Sequence, residues 1–294
     1  MVTYSTPADG AHRISIGDAT CTVLVDGSFE YPHPAELLFA TAPADERDTA
    51  LREHGIDPDD WAETTLPYLC LLVDTGEGTV LVDTGAGTLA PTTGNLVDVL
   101  TDLGTDPGDV DAVVLSHAHP DHVGGLVEDG DPVFDDADHY IPAAEYDYWL
   151  PEPDLSDLQL PDEFLDLMRT TAVSNLEPLA AADRLERVDG ERTIHPGVTV
   201  VPAPGHTPGH AAVMIESRGE SLLHLVDTVI HPLHVSHPSW AVGFDHQPDR
   251  VADTRRDLLG RAADADLAMV AHFPAPGLGR VTRTADGFAW DALE

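Results

Sequence analysis

A chain of 294 residues, 42% of them apolar, has enough material for one large domain or two modest ones. No apolar run approaches the roughly 18–20 residues that a membrane-spanning helix needs. The 53 acidic residues face only 14 basic ones, all arginine, for a formal charge of −39, which argues against nucleic acid or an anionic membrane as a partner because phosphate binding needs a cationic surface. So large a charge repels itself, and we read it as a halophilic surface suited to molar salt, where repulsion is screened within about 3 Å. The opening residues lack a basic stretch followed by an apolar one, so a cytoplasmic location is expected. In a reducing compartment Cys21 and Cys70, each inside an apolar β-like run, are expected to be small buried hydrophobes rather than a disulfide.

No linker interrupts the composition, so a single domain over residues 1–294 is expected, with no internal boundary. Residues 12–26 read as a strand pair, and 67–87 as two strands about the turn Gly76–Gly78. Leu96, Leu100 and Leu103 share one face of a helix over 95–103, which Gly104 can end. "DAVVLS" (111–116) has the continuous apolarity of a buried strand. Residues 161–187 read as largely helical, and 197–205, 211–217 and 222–228 as three strands. Val251, Leu258, Leu259 and Ala262 mark an amphipathic helix over 250–265, and 267–272 reads as a last core strand ending in His272. Strands then helix, twice, make two α/β halves. Residues 28–66 and 138–160 fit neither half and, rich in Pro, acidic residues and aromatics, are expected to form lids.

The chemistry concentrates where the 111–116 strand ends. "SHAHPDHVGG" (116–125) places His117, His119, Asp121 and His122 within six positions. Imidazole and carboxylate suit zinc-like divalent ions. His117 and His119 can converge on one ion from a loop, which leaves Asp121 and His122 to serve another. Gly124 and Gly125 permit close backbone approach at the helix that follows. Two ions need more donors, and strand ends offer them: His206 in "PAPGHTPGH", Asp227 in "LHLVDT" and His272 in "MVAHFP". A lone carboxylate emerging from an apolar strand is expensive unless paired or metal-bound.

Together with "LVDTGAG" (81–87), these motifs resemble the metallo-β-lactamase-fold hydrolase superfamily over roughly residues 12–290. "GHTPGH", "HFPAPGLGR" and the closing "DGFAW" look most like its methyl parathion hydrolase and quorum-quenching lactonase branch. The resemblance implies an α/β four-layer αβ/βα sandwich, with two mixed sheets face to face and helices outside. It implies one ion on His117, His119 and His206, a second on Asp121, His122 and His272, and Asp227 bridging both. The ions would be zinc, with manganese, iron or cobalt as alternatives. Asp227 stands where zinc β-lactamases commonly use Cys, which argues against that activity. Asp83 and His210 would brace the ligand loops without touching metal. A metal-bridging hydroxide would attack a lactone or related carboxylic ester, with phosphotriesters as further substrates, and Asp121 would carry a proton. A homodimer is a family-level expectation.

Two other enzymes on this fold are alternatives. A glyoxalase II-like thioesterase needs basic residues near the C-terminus, where only Arg280 and Arg283 stand. A mononuclear-iron persulfide dioxygenase would not need the complete second donor set. For substrate contacts we single out His231, close in sequence to Asp227, together with Trp149 and Trp240, while Tyr146 and Tyr148 share the expected lid with Trp149.

Overall fold

The structure is a computed structural model that describes residues 4–150, 153–158, 160–285 and 287–293. Strands β1 (Tyr4–Ala8), β2 (Ala11–Ile16) and β3 (Ala19–Pro32) run as an antiparallel meander. The long β3 pairs along its length with β4 (Glu63–Asp74), which turns back into β5 (Thr79–Val82). Pairing then becomes parallel, through β6 (Ala112–Val114). A two-strand ribbon, β7 (Val127–Glu128) and β8 (Asp131–Pro132), stands apart. β9 (Asp138–Pro142) and β10 (Leu185–Val188) complete this eight-stranded sheet.

The second sheet has seven strands in sequence order: β11 (Arg192–His195), β12 (Val198–Pro202), β13 (Ala211–Ser217), β14 (Glu220–His224), β15 (Leu267–Met269), β16 (Leu278–Arg283) and β17 (Phe288–Ala292). Among the described residues its one parallel pair, β14 and β15, is the pair a helix must cross between.

Strand alternation explains the layers. In β5, Val80 and Val82 face the second sheet while Leu81 faces outward; in β6, Ala112 and Val114 face inward and Val113 outward. The inner faces of both sheets meet through Ile14, Val23, Leu71, Val213, Leu222 and Met269. Short helices α1 (Pro34–Leu38) and α2 (Ala44–Glu53) lie between β3 and β4. Helix α3 (Leu96–Asp102) covers the outer face of the first sheet, α4 (Pro120–Val123) follows the histidine loop, and α5 (Ala143–Trp149) and α6 (Asp162–Ala181) cover that face further along. α7 (Leu233–Ser236) and α8 (Pro248–Ala262) pack on the outer face of the second sheet. This is the αβ/βα sandwich.

The segments read as lids are largely paired or packed, while Tyr31 and Leu66 of the first and Leu160 of the second line a pocket. Residues 28–32 and 63–66 are paired extensions of β3 and β4, and α1 and α2 bury Leu38, Phe39 and Leu51 against Ile230, Leu233 and Trp240. Of 138–160, β9 is a core strand and Trp149 is fully buried, while positions 151, 152 and 159 lie outside the described residues. Asp286 of the "DGFAW" motif also lies outside them.

Two buried histidines make stability pH-dependent. His234 donates Nε2–H to the Leu38 carbonyl at 2.8 Å, and burial together with the Arg255 charge holds it well below the ordinary imidazole range. Burial pushes His224 down to about 4. An unfolded imidazole titrates near 6.5, so below that pH the unfolded chain takes up protons that these folded groups refuse, and stability falls as pH falls. The effect is absent above about pH 7 and approaches about 1.4 kcal/mol per pH unit for each group. In urea melts the advantage of the parent over His234→Asn should therefore shrink from pH 7 to pH 5. An advantage independent of pH would contradict a neutral buried His234.

Candidate metal centre

The site forms where strands of both sheets end. β6 continues into Leu115 and Ser116, and the chain then breaks into the loop His117–His119. Pro120 begins α4 at a position where a missing N–H costs nothing, and α4 carries Asp121 and His122. The glycines after it are required by space. A Cβ at Gly124 would lie 2.4 Å from the Ala86 carbonyl oxygen, and one at Gly125 would lie 2.2 Å from that of Thr84. This contact brings α4 against the 83–86 turn.

In that turn Asp83 adopts φ 62°, a conformation L-residues rarely take. Its carboxylate accepts from Ser116 N–H and Oγ–H, both at 2.7 Å, and from His122 Nδ1 at 2.8 Å. Nε2 of His122 is thereby turned inward, 3.3 Å from Asp227 Oδ1 and 3.5 Å from Asp121 Oδ2.

Asp227 stands on a single turn of 3-10 helix, Val226–Thr228, so the strand read over 222–228 stops at His224. The turn is entered through Val226 at φ 48°, costly for a β-branched residue, and held by the Asp227 N–H donating to His210 Nε2 at 3.2 Å. His210 can accept there because its Nδ1–H is given to the Ala203 carbonyl at 3.0 Å. Asp227 Oδ2 then lies 3.0 Å from His272 Nε2, 3.4 Å from His206 Nε2 and 4.0 Å from His117 Nε2.

All seven sequence-derived donors converge. Donor atoms of His117, His119 and His206, of His117, His122 and Asp227, and of Asp121, His122 and His272 each lie within 4.8 Å of one another. The remaining ring nitrogens are held from outside: Nδ1 of His117 by Ser116 Oγ (3.0 Å), of His122 by Asp83, of His206 by Asp245 (2.8 Å) and of His272 by the Pro67 carbonyl (3.0 Å), and Nε2 of His119 by His246 (3.3 Å). The inward atoms His117 Nε2, His122 Nε2 and Asp227 Oδ1 are buried with no hydrogen-bond partner among the described residues. Buried polar atoms left this way are costly, and aligned lone pairs with fixed outer nitrogens are what divalent ions require. The donor set fits such ions.

Electrostatics agrees. Burial, reinforced by neighbouring imidazoles, holds His117 and His119 well below their ordinary range, so both are neutral donors. Burial opposes the charge of Asp227, but His272 and His122 hold its carboxyl well below the usual range. Burial likewise opposes protonation of His122, yet Asp227, Asp121 and Asp83 raise it well above 6.5. The carboxylate side of the site demands positive charge.

Sequence reading missed Glu145, Asp245 and His246. The fully buried Glu145 accepts from Ala118 N–H (3.0 Å), Gly209 N–H (2.9 Å), Thr207 Oγ1–H (2.7 Å) and Trp149 Nε1–H (2.6 Å), tying the two histidine loops together. One acidic residue among 53 gives no local signal. The three residues singled out as substrate contacts stand elsewhere. Trp149 is in the core beneath His119, Trp240 stacks on His237, and His231 packs edge-on against Phe39, because Trp149 is drawn into the first sheet's outer core and Trp240 and His231 into the aromatic group around Phe39. Tyr146 lies under Arg187 and Tyr148 beside His246. The pocket that opens on Asp121, Asp227 and His272 is walled instead by Tyr31, Leu66, Phe164, Met168, Ile230 and Phe244. A larger cleft, about 750 Å³, is lined by none of the seven donors.

The family profile of the metallo-β-lactamase superfamily matches residues 64–272. The chain is 28% identical over 178 residues to an N-acyl homoserine lactonase of Bacillus cereus, a match covering 54% of this chain and 62% of that one. It is 28% identical over 189 residues to a probable metallo-hydrolase of Mycobacterium tuberculosis, covering 58% and 57%. The chain thus spans only 57–62% of the length of these curated relatives. Among solved structures, the dizinc quorum-quenching lactonase AidC superposes with a TM-score of 0.86 at 28% identity, covering 97% of this chain and 98% of that one. The hydrolase AbOPH gives 0.84 at 26% identity over the same shares, 97% and 98%. The profile spans the first six of the convergent donors and ends on the seventh, His272: the chain belongs to the metallo-β-lactamase superfamily.

Proposed function

We propose that this chain hydrolyses lactones or closely related carboxylic esters at a centre of two divalent ions, zinc being the ion we favour. The observation that supports it most is the convergence of seven buried donors in overlapping groups about Asp227, open to an apolar pocket. Such ions supply Lewis acidity and a nucleophilic water at neutral pH. The protein's own residues do the rest. Asp121 lines the pocket with Oδ2 3.5 Å from both His122 and His272, placed to take a proton from the attacking water and return it to the leaving alkoxide. Leu66, Phe164, Met168, Ile230 and Phe244 offer an acyl chain an apolar wall and keep bulk water from the reacting carbonyl. The similarity to N-acyl homoserine lactonases supports that substrate class.

The thioesterase alternative loses ground because its basic residues are engaged. Arg283 pairs with Asp264, and Arg280 donates to the Asp266 carbonyl.

The test is proton release from an N-acyl homoserine lactone in a pH-stat, at molar salt to suit the acidic surface, with zinc- and manganese-loaded protein. Rapid, chelator-sensitive release is expected. No release from a folded protein holding two ions would remove lactones as the substrate class. Thioesters, aryl phosphotriesters and oxygen consumption with an iron-loaded protein would then decide among the alternatives.

A further inference from the structure

Two of the three imidazoles in one donor group are held from behind by adjacent residues of one loop. His206 donates Nδ1–H to Asp245 Oδ1 at 2.8 Å, and His119 directs Nε2 at His246 Nε2 at 3.3 Å. The loop is itself fixed. Val242 N–H donates to Asp245 Oδ2 at 2.9 Å, and His246 N–H donates to the His206 carbonyl at 2.9 Å.

Proton positions follow from one requirement. His119 turns Nδ1 inward, 3.0 Å from His206 Nε2, so its proton sits on Nε2. His246 Nε2 must then accept, which puts the His246 proton on Nδ1, where it is donated to the Tyr148 hydroxyl at 3.1 Å. Tyr148 in turn donates to the Asp154 carbonyl at 2.7 Å. Every donor in the series finds an acceptor, and His119 is locked in the tautomer that leaves Nδ1 free. The other group is supported chiefly by different residues, His122 directly by Asp83 and His272 by the Pro67 carbonyl, although Asp83 also reaches His117 through Ser116 Oγ.

We propose that the Asp245–His246 dipeptide is the positioning element of a single metal subsite, that of His117, His119 and His206, so the two subsites lose their ions independently. Without the His246 acceptor, the buried Nε2–H of His119 is either orphaned or shifted to Nδ1, where it blocks the donor nitrogen. Outer partners of this kind are worth about 10–100-fold in metal affinity. The proposal rests on the two-ion reading of the site.

The experiment is zinc competition against a chromophoric chelator, using the full chain and its variants His246→Leu, His246→Gln and Asp83→Asn. The parent should hold two ions. In His246→Leu one ion should bind about 10–100-fold more weakly and the other as in the parent. His246→Gln keeps an acceptor oxygen and should recover most of the loss. Asp83→Asn, which meets His122 directly and His117 only through Ser116 Oγ, should weaken the other ion more than this one. Should His246→Leu fail to fold, as judged by melting of the metal-free protein, Asp245→Asn reads the same ion through His206. Equal weakening of both ions, or none, would overturn the proposal. Fewer than two ions in the parent would overturn the two-ion reading itself.

Discussion

Asp227→Ala should lower turnover by at least about 10³-fold, the several kcal/mol that bound metal ions supply to such a reaction. The reason is geometric. One oxygen of this carboxylate lies 3.3 Å from His122 Nε2, and the other lies 3.0 Å from His272 Nε2 and 3.4 Å from His206 Nε2. Every donor group therefore has a histidine against Asp227, and its loss should weaken both ions. Metal content and kcat/KM, measured on protein shown by circular dichroism to be folded, check this. Full activity in folded Asp227→Ala would remove the two-ion scheme. His231→Ala provides the contrast: its ring packs on Phe39 and Trp61 away from the donors, so activity should stay near that of the parent.

Glu145→Leu should cost about 3–5 kcal/mol of stability. The carboxylate is fully buried and accepts four hydrogen bonds, so leucine leaves the Ala118 and Gly209 amides, the Thr207 hydroxyl and the Trp149 indole without their acceptor. Burial raises the Glu145 carboxyl above its ordinary range, and the four donors offset part of that rise. A domain has only about 5–15 kcal/mol in hand, so the variant should melt far below the parent or fail to accumulate. Glu145→Gln brings its own donor amide against the same donors and should also lose stability. A shift below about 1 kcal/mol in urea melts would show that the four donors find other partners.

Local chemistry was readable. The spacing of His117, His119, Asp121 and His122 puts four donors on a loop and the first turn of α4 whatever surrounds them. His206, Asp227 and His272 could be named because a polar side chain beyond an apolar strand stands out against its neighbours. Element ends were read less well. The 222–228 and 267–272 strands stop at His224 and Met269, since ladder pairing ends there and the chain must turn to aim Asp227 and His272.

Glu145, Asp245 and His246 had no readable signature. Each acts across a long sequence gap, Glu145 on Ala118 and Thr207, Asp245 on His206, His246 on His119. The aromatic residues misled for the same reason. Trp149, Trp240 and His231 are the right types for a pocket wall, yet packing placed the two tryptophans in cores and His231 against Phe39, and gave the wall to Tyr31, Phe164 and Phe244. By itself the sequence determined which atoms can bind metal and at which strand ends they stand, because donor type and hydrophobic period are local properties. The tertiary structure alone decided how those donors are oriented and what faces them, because hydrogen bonds between loops and shared apolar burial form only after both sheets have closed on each other.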